Sequence, residues 1–277
     1  MTSATTSTTA STTASTTAPS TASTIGVTTL GGPTVVLDLG ALRVVVDPTF
    51  DAPGEYPIGQ RTLVKDAPPA WTPEQVGSVD GVLVSHDQHS DNLDDLGRAF
   101  LATAPRVLTT PAAADRLGGA AVGLPAWESF DLARPDGRAL RVTATPAQHG
   151  PEGTEHLTGP VIGFVLSGAG LPTVYVSGDN ASLDVVSDVG SRFAPIDVAV
   201  LFAGGAKTPL LGDEFLTLSS AMAADAVRIL GRPRTVVVHI DGWTHVTETL
   251  PAVRRAFAQA GVARSLVVTR HGTTVRL

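Results

Sequence analysis

The sequence predicts an α/β fold, with two β-sheets and helices on their outer sides, and three observations predict it. Short apolar runs bounded by Gly, Pro, Asn or Asp recur from Ile25 onward, which is how interior strands read. Strands come first in each half of the chain and helices lie between the later ones, an order expected of two sheets covered by helices. Finally, four apolar runs stop at metal-capable side chains: the loop His86–Asp91, then His149, Asp179 and His239. Side chains at one end of neighbouring strands meet along a common edge, where the active sites of α/β folds lie.

Taken in order, Val35–Leu39 and Val44–Val46 form a hairpin turned at Gly40–Ala41, and Asp47-Pro48 ends it. A Pro- and Gly-rich stretch, Thr49–Pro73, reads as a long loop of the kind that covers a site. Val82–Val84 is a buried strand, followed by a helix at Leu93–Ala102, a strand at Arg106–Thr109 and a short helix opened by Pro111. Trp127–Leu132 and Leu140–Thr145 pair around the turn Arg134-Pro-Asp-Gly, and the second strand runs into Pro146-Ala-Gln-His149-Gly. Val161–Leu166 and Thr173–Val176 follow, the latter ending in Ser177-Gly-Asp179-Asn180. A helix at Ser182–Arg192 leads to the strand Asp197–Phe202 and the glycine-rich loop Ala203–Lys207. The helix Ser219–Leu230 precedes the strand Thr235–Val238, which ends at His239-Ile-Asp-Gly-Trp. A last helix spans Thr247–Ala260, and strands at Leu266–Thr269 and Thr274–Leu277 close the chain.

Composition sets the outer limits. Of 277 residues, 43% are hydrophobic and 16% charged, ample for a large core. The net charge of −7 and the lack of a basic run argue against a nucleic-acid partner, because polyanion binding needs a positive patch. Cysteine is absent, so any metal must be held by nitrogen and oxygen. No apolar run is long enough to span a membrane. Residues 1–24 differ from the rest: apart from Met1 and Pro19 they are Ser, Thr or Ala, with STTA repeated at 7–10, 11–14 and 15–18. This tail is expected to be disordered, leaving residues 25–277 as the working domain. It lacks the basic start and apolar centre of a secretory signal, so the expected location is cytoplasmic.

The densest chemistry lies in Val82–Asn92, VLVSHDQHSDN. Folding does not ask for His86, Asp87, His89 and Asp91 to be packed just past a buried strand. Four lone-pair donors on one short loop suit a divalent metal, and imidazole with carboxylate suits zinc, with manganese or iron as alternatives. The competing readings are a polar surface loop, or a His–Asp pair that caps the helix starting near Leu93.

These residues resemble the metallo-β-lactamase fold superfamily over Gly26–Leu277. The resemblance is carried by the hairpin ending in Asp47-Pro48, the His/Asp loop, Gln148-His149, Ser177-Gly-Asp179 and His239-Ile-Asp-Gly-Trp-Thr-His245. Pro146-Ala-Gln-His149 and His239-x-Asp-Gly-Trp look most like the branch of ascorbate-phosphate lactonase and N-acyl-phosphatidylethanolamine phospholipase D. The resemblance implies a four-layer αββα sandwich with its site on the edge between the sheets. It also implies a metal-dependent hydrolase that holds one or two zinc ions and uses a metal-bound hydroxide on an ester, lactone or phosphodiester bond of a small-molecule substrate.

The resemblance assigns the first ion to His89, His149 and either His86 or Asp87, and the second to Asp91 and His239 with Asp179 bridging. Of the two candidates for the first position, imidazole is the stronger zinc donor, which favours His86. Asp91 is the implied catalytic residue, orienting water or carrying its proton. One departure stands out. The family reads His-x-His-x-Asp-His, and this chain has Asn92 at the last position, a poor zinc ligand. The second ion therefore loses a donor, leaving two unequal ions, a single ion or a harder ion as the alternatives.

Asp47 is a candidate partner for a metal-bound imidazole. His245 either reaches the substrate or caps the last helix, and Lys207 is an anion contact near the site. His156 and His271 read as surface residues and Trp243 as packing. No Gly-x-Ser-x-Gly elbow marks a serine hydrolase. The rival to an enzyme is a metal-binding, catalytically impaired sensor or binding module of the same fold, which Asn92 favours.

Overall fold

The computed structural model describes Met1 and residues 24–59 and 61–277. The tail expected over residues 1–24 lies, but for its two ends, outside the described residues. The chain opens with the antiparallel strands β1 (Ile25–Gly31), β2 (Thr34–Leu39) and β3 (Leu42–Val46), turned at Gly40–Ala41 as expected. The stretch 49–73, read from sequence as a loop, instead carries a hairpin, β4 (Gly54–Ile58) and β5 (Arg61–Lys65). Pro57 and the surface residue Glu55 on β4 break the strand pattern, because proline is tolerated only where its missing N–H is not needed.

Next come α1 (Pro73–Val76), β6 (Gly81–Leu83), α2 (Asp95–Leu101), β7 (Val107–Thr109), α3 (Pro111–Leu117) and β8 (Ala121–Gly123). The last strand carried no sequence signal, being three half-buried residues that include Gly123. The second half holds β9 (Ser129–Ala133), β10 (Ala139–Ala147), α4 (Glu155–Thr158), β11 (Val161–Ser167) and β12 (Val174–Val176). It continues with α5 (Leu183–Phe193), β13 (Val198–Phe202), α6 (Ser220–Ile229), β14 (Arg234–Val238), α7 (Leu250–Gln259) and β15 (Val275–Arg276). Of the strand expected at Leu266–Thr269, only a single bridge from Leu266 to Thr235 forms.

Alternation along the strands sets the layering. On β2, Val35, Leu37 and Leu39 face a core shared by both sheets, while Val36 faces a second core with Phe100 and Leu101 of α2. On β13, Val198, Val200 and Phe202 face the shared core, while Ala199 and Leu201 pack with Val186 of α5 and Val227 of α6. Because both faces are covered, β13 is apolar at every position, and β2 at every position but Thr34 and Asp38. The result is the four-layer αββα sandwich. One sheet runs β15-β1-β2-β3-β6-β7-β8 and the other β14-β13-β12-β11-β10-β9. β3 and β6 are parallel, as are β12, β13 and β14, and β10 shares their direction through the antiparallel β11. The C-terminal ends of β3, β6, β10, β12 and β14 carry Asp47, the His86–Asp91 loop, His149, Asp179 and His239.

Candidate metal centre and active site

Three imidazoles meet in one place. His86 Nε2 lies 2.8 Å from His89 Nδ1, and His149 Nε2 lies 3.3 Å from the same atom. The tautomers follow from the partners of the opposite nitrogens. His149 Nδ1 is 2.8 Å from the carbonyl oxygen of Leu216, which only accepts, so Nδ1 carries the proton and Nε2 presents a lone pair. Ser85 Oγ gives its proton to Asp47 Oδ2 at 2.7 Å and therefore accepts from His86 Nδ1 at 3.0 Å, which leaves Nε2 free as well. Burial and the neighbouring imidazoles push His86 well below its ordinary pKa. Burial first, and then His149, bring His89 down to about 4. Three ring nitrogens converging on one point fit a divalent ion.

A second group lies beside the first. Asp91 Oδ2 is 3.2 Å from His239 Nε2 and 3.0 Å from His245 Nε2. Burial alone would raise the Asp91 carboxyl, but His245 and His239 outweigh it and hold it well below the carboxylate range. Burial pushes His239 down, yet Asp179 and Asp91 together lift it to about 9. Asp179 sits between the groups, 3.8 Å from His149 Nδ1 and 3.9 Å from His239 Nε2. The donors are nitrogen and oxygen alone, a set that zinc, iron and manganese all accept.

The backbone is shaped to make these approaches. His239 has φ of 57° and Asp47 φ of 41°, left-handed values that side chains seldom adopt outside functional sites. Gly178, with φ of 58°, has the Ile162 carbonyl oxygen only 2.5 Å from where a Cβ would stand, so no other residue delivers Asp179 there. Gly204 likewise leaves room for the His239 carbonyl, which a Cβ would meet at 2.0 Å.

His86 thus stands with His89 and His149, whereas the Asp87 carboxylate is taken by Arg116 Nε at 3.0 Å and by Arg98 at 3.8 Å. Asn92 is fully buried, with Nδ2 donating to Asp47 Oδ2 at 3.1 Å and facing Asp179 Oδ1 at 3.4 Å. Asp47 reaches the imidazole through Ser85 rather than directly. His271 pairs with Asp241 at 2.8 Å, away from the two groups, and Trp243 is packed in beside Tyr56.

Above the groups lies a pocket whose empty space, with the open solvent at its mouth included, is about 490 Å³. Ile58, Leu63, Leu157, Leu210, Leu211 and Leu216 give it apolar walls, and Arg61 and Lys207 supply positive charge. Arg61 donates to Thr208 Oγ1, tying the β4–β5 hairpin to the opposite wall. Sequence reasoning passed over Arg61 because the hairpin that places it was read as a loop. His156 lines an outer depression that shares Leu157 and Arg61 with the cavity.

Residues 42–240 match the family described as the β-lactamase superfamily domain. A UPF0173 metal-dependent hydrolase of Pyrococcus furiosus is 24% identical over 225 residues, spanning 79% of this chain and 86% of the relative. Two solved structures share the fold. One is a possible metal-dependent hydrolase from Veillonella parvula, with a TM-score of 0.77 at 19% identity over 92% of this chain and all of that one (100%). The other is the isothiocyanate hydrolase from Delia radicum gut bacteria, with a TM-score of 0.75 at 19% identity over 90% of this chain and 98% of that one.

Proposed function

The chain belongs to the β-lactamase superfamily, and on that premise we propose that it is a metal-dependent hydrolase of ester, lactone or phosphodiester bonds in small molecules with an apolar body. The observation that carries this reading is the convergence of His86, His89 and His149 on one point, beside Asp91 and His239, at the floor of an apolar cavity. The relatives named as metal-dependent hydrolases support it. When bound, the ion lowers the pKa of coordinated water toward about 7 and offsets charge on the scissile group.

The chain's own residues do the rest. His86, His89 and His149 would hold the first ion, and Asp91 and His239 the second, with Asp179 within reach of both groups. Asp91 lines the cavity and stays ionised, so it is the group placed to orient water or take up a proton. Arg61 and Lys207 sit where an anionic substituent would be drawn in, and the leucine walls exclude water from the remainder of the substrate.

The test is metal analysis of the purified protein followed by turnover of p-nitrophenyl esters, lactones and bis-p-nitrophenyl phosphate. Metal-dependent turnover that is lost with both chelator and His149→Ala is expected. Bound metal with no turnover of any of the three classes would instead favour a metal-binding module without catalysis.

A further inference from the structure

We propose that His245 supplies the imidazole that position 92 lacks, completing a second cation site with Asp91 and His239, while Asn92 serves as a neutral strut between Asp47 and Asp179. The inference rests on the metal-centre reading above and adds a ligand to it. Its first support is convergence, since the ligand atoms of Asp91, His239 and His245 all lie within 4.8 Å of one another. The second is the state of the Asn92 amide. The amide turns its NH2 toward Asp47 Oδ2 and Asp179 Oδ1, and an amide nitrogen has no lone pair to give a metal.

The third support is the rigidity of the segment that carries His245. The His239 N–H donates to the Gly32 carbonyl at 2.8 Å, and the Asp241 carboxylate accepts from Gly32 N–H at 3.0 Å. Asp66 N–H donates to the Gly242 carbonyl, and Thr244 N–H to the Val64 carbonyl, both at 3.0 Å, while Trp243 is buried. Beyond it, the Lys207 N–H donates to the His245 carbonyl at 3.3 Å. A segment fastened on three sides delivers His245 to Asp91 six residues after His239. His245 Nδ1 is buried without a hydrogen-bond partner among the described residues, so none of them turns the ring the other way.

The Asp91 carboxylate gives the groups different characters. The first is three imidazoles and the second is two imidazoles with Asp91, so the second site also accepts a harder cation. The proposal makes Asn92 a change of position for the ligand, with its number kept.

The experiment is zinc and cobalt stoichiometry of the full chain by plasma mass spectrometry, together with competition titration against a chromophoric chelator. Wild type, His245→Ala, His245→Gln and Asn92→Ala are compared, and thermal melts in excess chelator show that each variant is folded. Two ions per wild-type chain, one per chain in both His245 variants and two in Asn92→Ala are expected. The cobalt absorption of the second site should vanish in the His245 variants, a readout independent of turnover. Two ions held with unchanged affinity by the His245 variants would overturn the proposal and leave the metal-centre reading intact. Loss of an ion in Asn92→Ala alone, or a single ion in wild type that His245→Ala keeps, would overturn it as well. A wild-type chain that binds no ion would remove the metal-centre reading itself.

Discussion

Two imidazoles of the first group have their tautomers set by neighbours that are not themselves candidate ligands. The Leu216 carbonyl fixes His149, and the Asp47–Ser85 pair fixes His86. Asp47 is itself unusual: burial lifts its carboxyl to about 7 in spite of the Ser85 and Asn92 donors. These shifts give a pH prediction for the metal-free protein. His86 and His89 are depressed when folded, so their contribution to stability is full above about pH 6.5 and declines as pH falls below it, that of His89 being lost through about 4. His239 is raised, so its contribution is full below about pH 6.5 and is lost as pH rises through about 9. Asp47, also raised, opposes the acid limb by one proton against two, losing its contribution as pH rises through about 7. Melting temperature in chelator should therefore peak between about pH 6 and 7. A curve still rising at pH 9 would contradict the charge assigned to His239.

Among the elements, the β4–β5 hairpin does most to roof the cavity, and its anchor is a buried ion pair. Lys65 Nζ at the end of β5 lies 3.1 Å from Asp94 Oδ2, with both side chains almost wholly buried. Burial lowers the Lys65 pKa, and Asp94 pulls against it. Asp94 also caps α2 by accepting from Gly97 N–H at 2.8 Å, and it takes the N–H groups of Phe50 and Asp51 at 2.9 and 2.7 Å. One carboxylate thus joins the hairpin, the loop after β3 and the start of α2. Asp94→Ala leaves a buried ammonium unpaired and removes a helix cap, and chemical denaturation should show a loss of about 3–5 kcal/mol. A loss below about 1 kcal/mol would mean that Lys65 reaches water in the variant and that the pair is not an anchor.

At the scale of the whole molecule, the proposed ligand set joins the two sheets. His86, His89 and Asp91 follow a strand of the first sheet, whereas His149, Asp179 and His239 follow strands of the second. An ion held by both sets binds the folded chain and has no comparable site in the unfolded one, so it raises stability by mass action. Free ion at about a hundredfold above its Kd contributes about 2.7 kcal/mol. Chelation should lower the melting temperature of the wild type, and His86→Ala should show a markedly smaller drop. Equal drops in the two proteins would place the stabilising ion elsewhere.

The strand ends were legible in the sequence because an apolar run that stops at a histidine or aspartate is a local pattern. His86, His89, Asp91, His149, Asp179 and His239 were all found that way, and the alternation that builds the two sheets is local as well. The hairpin at 54–65 was not legible, since Pro57 and Glu55 break the strand pattern and its stability comes from Asp94 and Trp243, far away in the chain. Only the tertiary structure decided how Asp87 and His86 divide, because the arginines that take Asp87 arrive on α2 and α3. It also decided the position of His245. Nothing in the spacing of His239 and His245 tells where the second ring lies; that depends on Gly32, Val64 and Lys207 holding the segment between them. A sequence records which side chains can bind a metal, and long-range packing determines which of them meet.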